Sequence, residues 1–170
     1  MGLSNSNPYG WKFEWKDWIS SAIFLPICLY FVLNRGEYTL LDNANLIIHE
    51  AGHFIFAFFG KFIRFAGGTI MQILLPCILI YHFYVHDYRL GVQVFLFWLG
   101  HNLINISVYA ADARARRLPL LGGDFVQHDW WTMLGMLNML EYDQVIGNLF
   151  FGAAILVFIV LLLTPRFMMN

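Results

Sequence analysis

Charge is what this chain has least of. Only 12% of its residues are Asp, Glu, Lys or Arg, where soluble domains carry about 25%. So few charges cannot furnish a water-facing shell, which excludes an ordinary soluble globule. The formal net charge of -1 leaves no basic surface for a polyanion, so nucleic acid is not an expected partner. Cysteine is equally scarce. Cys28 and Cys77 both lie inside apolar runs, where they read as small packing residues and make no disulfide framework. Nor does a small-residue cleavage site follow the first apolar run, which is therefore expected to stay as an anchor.

What fills the space is apolar. The 170 residues are 59% hydrophobic and 18% aromatic, and long apolar runs place the chain in a lipid bilayer. The reading is all-α: one integral membrane domain over residues 1–170, a polytopic bundle of about five transmembrane helices. The spans are expected at 18–33, 43–60, 69–85, 90–110 and 145–163, with an interfacial or re-entrant helix within 118–144. Residues 11–17, which mix aromatic and charged side chains, read as either a short interfacial helix or a lead-in at headgroup level. Pro26 and Pro76 are expected to kink their helices, and Asp42 or Asn43 to cap the second one. Lys61 and Arg64 mark a short basic loop, and Gly67-Gly68 is expected to break the chain after it.

Five alternating spans sort the basic residues unevenly. Lys12, Lys16, Lys61, Arg64, Arg114, Arg116 and Arg117 fall on one side, and Arg35, Arg89 and Arg166 on the other. The positive-inside rule then makes the amino terminus cytoplasmic and the carboxyl terminus external. The compact single-domain format suggests a bacterial inner membrane.

Inside the second apolar run stands His49-Glu50-Ala51-Gly52-His53. Positions i and i+4 share a helix face, so His49 and His53 can hold one cation, with Glu50 beside them to take a proton from water. Ionisable groups at membrane depth are costly and mark function. A catalytic zinc needs a third protein ligand and an open position. His128 is the expected third ligand, folding back from the 118–144 segment on the sharp turn that Gly122-Gly123 allows. Asp112, His101 and Asp129 are its rivals. Asp129 would cap a short helix with Trp130, Met133, Leu134, Leu137 and Leu140 on its apolar face. In the fourth span Asn102, Asn105, Tyr109 and Asp112 step by three, four and three and form one polar stripe, with His101 at its border. That stripe is either glue between helices or part of a site, where Asn102 or Asn105 would bind an oxyanion.

At His49-Glu50-Ala51-Gly52-His53 the chain resembles the site-2 protease superfamily of intramembrane zinc metallopeptidases. The resemblance implies Zn2+ on His49 and His53, Glu50 as general base, and a membrane protein or peptide as substrate. That family takes its third ligand, an Asp, from an Asn-x-x-Pro-x-x-x-Leu-Asp-Gly motif, which this chain lacks. The alternative reading is a non-enzymatic subunit of a membrane complex, with a closed structural metal site made by His49, His53, His101 and His128.

Overall fold

The computed structural model describes residues 14–119 and 127–168. Six α-helices and no strand occur among them: α1 (Ile19–Leu33), α2 (Leu40–Ile55), α3 (Lys61–Val85), α4 (Arg89–Ala111), α5 (Asp129–Met136) and α6 (Asp143–Phe167). Four stretches are long and apolar enough to cross a membrane: Trp15–Leu33, Lys61–Val85, Arg89–Ala111 and Leu140–Phe167. The motif helix α2 is not one of them. Its 16 residues reach about 24 Å at helical rise, short of a hydrocarbon core of about 30 Å. Residues 11–13 of the expected lead-in and the Gly122-Gly123 turn lie outside the described residues. A 3-10 turn at Trp15–Trp18 leads into α1.

Polar contacts fix the register around α4. Arg89 Nη1 donates to Asp17 Oδ1 at 3.1 Å, Gln93 Nε2 to Ser21 Oγ at 2.9 Å, and Arg35 Nη2 to the Ser107 carbonyl at 3.4 Å. Each pair is 72 residues apart, so α1 and α4 run parallel and in step. The helix α6 runs the other way, with Phe158 against Gly100 and Gly147 against Ala111. Arg89 also donates to the Met168 carbonyl at 3.4 Å. The start of α1 and the end of α6 therefore meet the same arginine, at one end of the bundle. Five alternating spans would have put them at opposite ends; the reason they do not is α2.

Contacts along α2 move from one neighbour to the next. Asp42 and Asn45 bond to Asn105, His101 and Trp98 of α4, whereas His49 and His53 bond to Gln72 and Arg64 of α3. The helix thus packs on α3 and reaches α4 through the polar side chains near its start. Glycine makes the approach to α3 close. A Cβ on Gly52 would collide with the Gly67 carbonyl, and one on Gly68 with the His49 ring.

This corrects the expectation for Gly67-Gly68, which sit within α3 and do not break it. In a helix pair without a water-driven hydrophobic force, small residues set how near the backbones come. Lys61 and Arg64 likewise belong to the first turns of α3 and not to a loop. The start of α2 also comes earlier than expected. Thr39 takes the N-cap position, and its N–H and hydroxyl both donate to Asp42 Oδ2, at 2.7 and 2.8 Å.

Candidate metal centre

The packing of α2 on α3 sets both histidines of the motif inward. His49 is 6% exposed, its ring lying on Gly68, and Gln72, one turn further along α3, faces its Nδ1 at 2.9 Å. His53, at the end of α2, is half-buried, and its Nδ1 donates to the Arg64 carbonyl at 2.7 Å. The third member comes from α5. Asp129 Oδ2 stands 2.9 Å from His49 Nε2 and 3.1 Å from His53 Nε2, and the two Nε2 atoms are 3.0 Å apart.

The protons decide what this triangle is. A backbone carbonyl can only accept, so His53 carries its proton on Nδ1 and presents a lone pair at Nε2. With Gln72 Oε1 as its partner, His49 does the same. Two ring lone pairs and a carboxylate oxygen then face one another, an arrangement that requires positive charge between them. A tetrahedral cation with bonds of about 2.0–2.2 Å holds its donors about 3.3–3.6 Å apart, about 0.2–0.7 Å wider than these three residues stand without one. The donor set and its spacing fit zinc or a similar divalent cation. His49, His53 and Asp129 form one group able to hold a metal ion among the described residues.

Asp129 is held from behind. The Tyr109 hydroxyl donates to Asp129 Oδ2 at 3.2 Å and accepts from the Asp129 N–H at 3.1 Å. Burial works to raise the Asp129 carboxyl, but in the metal-free chain a proton shared from the His49 and His53 imidazoles, the positive charge the triangle requires, outweighs it and keeps the group below its ordinary value. It is thereby ionised at neutral pH, as a metal ligand must be.

The expected third ligand, His128, is placed elsewhere. It caps α5, its Nδ1 accepting the Trp131 N–H at 3.3 Å, and its Nε2 points to Asp112 Oδ2 at 3.5 Å. Capping fixes the side chain to its own helix, so the following residue is the one that reaches the histidines. The cap position expected for Asp129 is accordingly one residue too late. Burial lowers the His128 imidazole, with Asp112 opposing only in part. Asp112 accepts the N–H groups of Arg117 and Leu118, each at 3.0 Å, and so anchors the chain after α4. His101 faces Asn45 at 2.9 Å and Asp42 at 3.8 Å. Neither Asp112 nor His101 joins the triangle.

Glu50 is exposed and lines a cavity of about 1250 Å³ together with His49, His53 and Asp129. Phe31, Leu46, Phe65 and Ile104 give the same cavity apolar wall. The oxyanion role expected for the asparagines finds no free donor aimed at the triangle: Asn102 Nδ2 turns to the Trp98 carbonyl at 3.0 Å and Asn105 Nδ2 to Asp42 at 3.1 Å. Gln72 went unnoticed in the sequence. Its signal was there, a single amide inside an otherwise apolar membrane helix and one turn beyond a glycine pair.

No protein-family model matches this chain, and neither a curated protein nor a solved structure matches it. What the site can do must be argued from its own atoms.

Proposed function

We propose that this chain is an intramembrane zinc-dependent hydrolase, a metallopeptidase of the site-2 protease kind. The observation that carries the reading is the meeting of two imidazole lone pairs and one carboxylate oxygen at the wall of a large cavity. A closed structural site needs a fourth protein ligand, and among the described residues the group of His49, His53 and Asp129 has three members. His101, which the closed reading would enlist, bonds to Asn45, and His128 is turned to cap α5, with its Nε2 towards Asp112 and not towards the triangle.

Zinc held there would supply Lewis acidity, polarising a carbonyl and making water a nucleophile near neutral pH. The chain supplies the proton handling. Glu50, next to His49 and open to the cavity, accepts a proton from the attacking water as the new C–O bond forms. It returns that proton to the amide nitrogen as the C–N bond breaks. Asp129 and Tyr109 hold the third corner in place, and the apolar wall takes the side chains of an unwound membrane peptide.

The same reading sets the topology. Four helices cross the bilayer, while α2 dips in from one side and α5 rests against it there. That end of the bundle carries Arg35, Lys61, Arg64, Arg114, Arg116 and Arg117; the other carries Lys16, Arg89 and Arg166 among the described residues. The positive-inside rule places the site-bearing end in the cytoplasm and the start of α1 outside, the reverse of a five-span arrangement.

The test is hydrolysis of a panel of quenched-fluorescent transmembrane peptides by protein reconstituted in liposomes, wild type beside Glu50→Gln. Cleavage by the wild type alone, with equal zinc in both, is the expected result. Equal cleavage by Glu50→Gln would remove the proposed base.

A further inference from the structure

Both nitrogens of an imidazole can carry the proton, so a ligating histidine must have its tautomer chosen for it. For His53 a backbone carbonyl makes the choice. For His49 the partner is the Gln72 side chain, and an amide can turn end for end, presenting either an acceptor or a donor. Something else must decide which way Gln72 points.

Two groups that can only accept sit one step further away. The Trp98 carbonyl takes a hydrogen from Asn102 Nδ2 at 3.0 Å, which turns Asn102 Oδ1 towards Gln72 Nε2 at 3.2 Å. Asp42 Oδ1 takes one from Asn105 Nδ2 at 3.1 Å, which turns Asn105 Oδ1 towards the same Nε2 at 2.9 Å. Asp42 is itself fixed, its other oxygen accepting twice from Thr39. Both hydrogens of Gln72 Nε2 are thus committed, and Oε1 is left facing His49. A flipped Gln72 would set its oxygen against two carbonyl oxygens and its NH2 against the Nδ1 proton. Gln72 and Asn102 are at most 1% exposed and Asn105 is half-buried at the cavity wall, so no water reaches the Gln72 amide itself to make good the mismatch.

We infer that Gln72 is the positioning residue of the metal centre: anchored through Asn102 and Asn105, it holds His49 as the Nδ1–H tautomer with Nε2 free to ligate. The inference rests on the proposed metal site, but the relay can be measured in the metal-free chain, as the pull of Gln72 Oε1 on the His49 proton against that of Asp129 Oδ2, 2.9 Å from Nε2. Its purpose is orientation, since amides in this chain pass on direction and no proton.

The experiment is 15N NMR of histidine-labelled protein in detergent, stripped of metal and held mildly alkaline, followed by zinc titration of the same samples. Wild type should show His49 protonated on Nδ1. Gln72→Met keeps the volume and removes the acceptor; it should give mixed tautomers and weaken zinc about 10–100-fold, the usual cost of losing a partner behind a ligand. Gln72→Glu, protonated so that its O–H donates to Asn105 Oδ1, restores an acceptor towards His49 and should restore the Nδ1–H tautomer, which a role in packing alone would not do. Should Gln72→Met not fold, Asn102→Leu with Asn105→Leu leaves Gln72 in place and free to turn, and should mix the tautomers likewise. An unchanged tautomer in Gln72→Met, or in the double variant, overturns the relay. A wild-type chain that takes up no zinc overturns the proposed function instead, and the tautomer still decides the relay.

Discussion

On one face of α4, Asn102, Asn105 and Tyr109 meet Gln72, Asp42 and Asp129. On another, Leu96, Leu99 and Leu103 share a core with Ala154, Phe158 and Leu161 of α6. The apolar face is buried and the polar one borders the cavity at Asn105 and Tyr109, and they are held by different means. The apolar side depends on shape: Phe158 lies directly on Gly100 and stacks with Phe97 at a centroid distance of 6.0 Å. Dispersion summed over such contacts is what remains when lipid is as apolar as the partner helix. The polar side depends on direction, because each donor there has one acceptor it must face. A change on the first side should cost stability and spare the metal, and a change on the second should do the reverse.

The largest effect expected is on the polar side. His53→Ala removes a ligand and should take the zinc content to near zero, with thermal unfolding of the metal-free protein little changed. Next comes Phe158→Ala on the apolar side, which should lose about 3 kcal/mol of stability while zinc binding stays at the wild-type level. A matched pair sharpens the contrast, since Gly68→Ala and Gly100→Ala add the same methyl group. The first drives a Cβ into the His49 ring and the second into the Phe158 ring, each at about 1–3 kcal/mol for overpacking. Only Gly68→Ala should also weaken zinc, measured by titration with a competing chelator. Equal loss of zinc in both would break the division between the two sides. The smallest effect belongs to Ile47, 72% exposed on the outer face of α2. Ile47→Ala should change unfolding by no more than about 0.5 kcal/mol and leave the metal alone.

Much of the apolar half was legible in the sequence. Unbroken hydrophobic runs can form little but helices in a membrane, because every backbone group must be satisfied internally. The four helices long and apolar enough to cross a membrane all fall among the five spans expected on that ground, and the fifth expected span, 43–60, is not one of them. The polar half was readable only in part. His49 and His53 announce themselves by spacing, but Gly67-Gly68 was read as a chain break, and glycine's low helix propensity gives no hint that it marks a contact point. The choice between His128 and Asp129 turns on which of two neighbours caps α5, and that choice depends on tertiary placement. The polar residues of α2, from Asp42 to His53, did signal that it is not a span like its neighbours, and counting 43–60 as one passed over them. Gln72 needed the structure to find its partners.

The most direct test of the central claim is zinc content by elemental analysis of detergent-purified protein, comparing wild type, Asp129→Asn and His128→Asn. Asparagine is itself a good helix cap, so the His128 variant keeps α5 in place. About one zinc per chain in the wild type and in His128→Asn, with loss in Asp129→Asn, is the predicted result. Zinc lost from His128→Asn and kept by Asp129→Asn, or no zinc in the wild type after the metal is supplied, would contradict it.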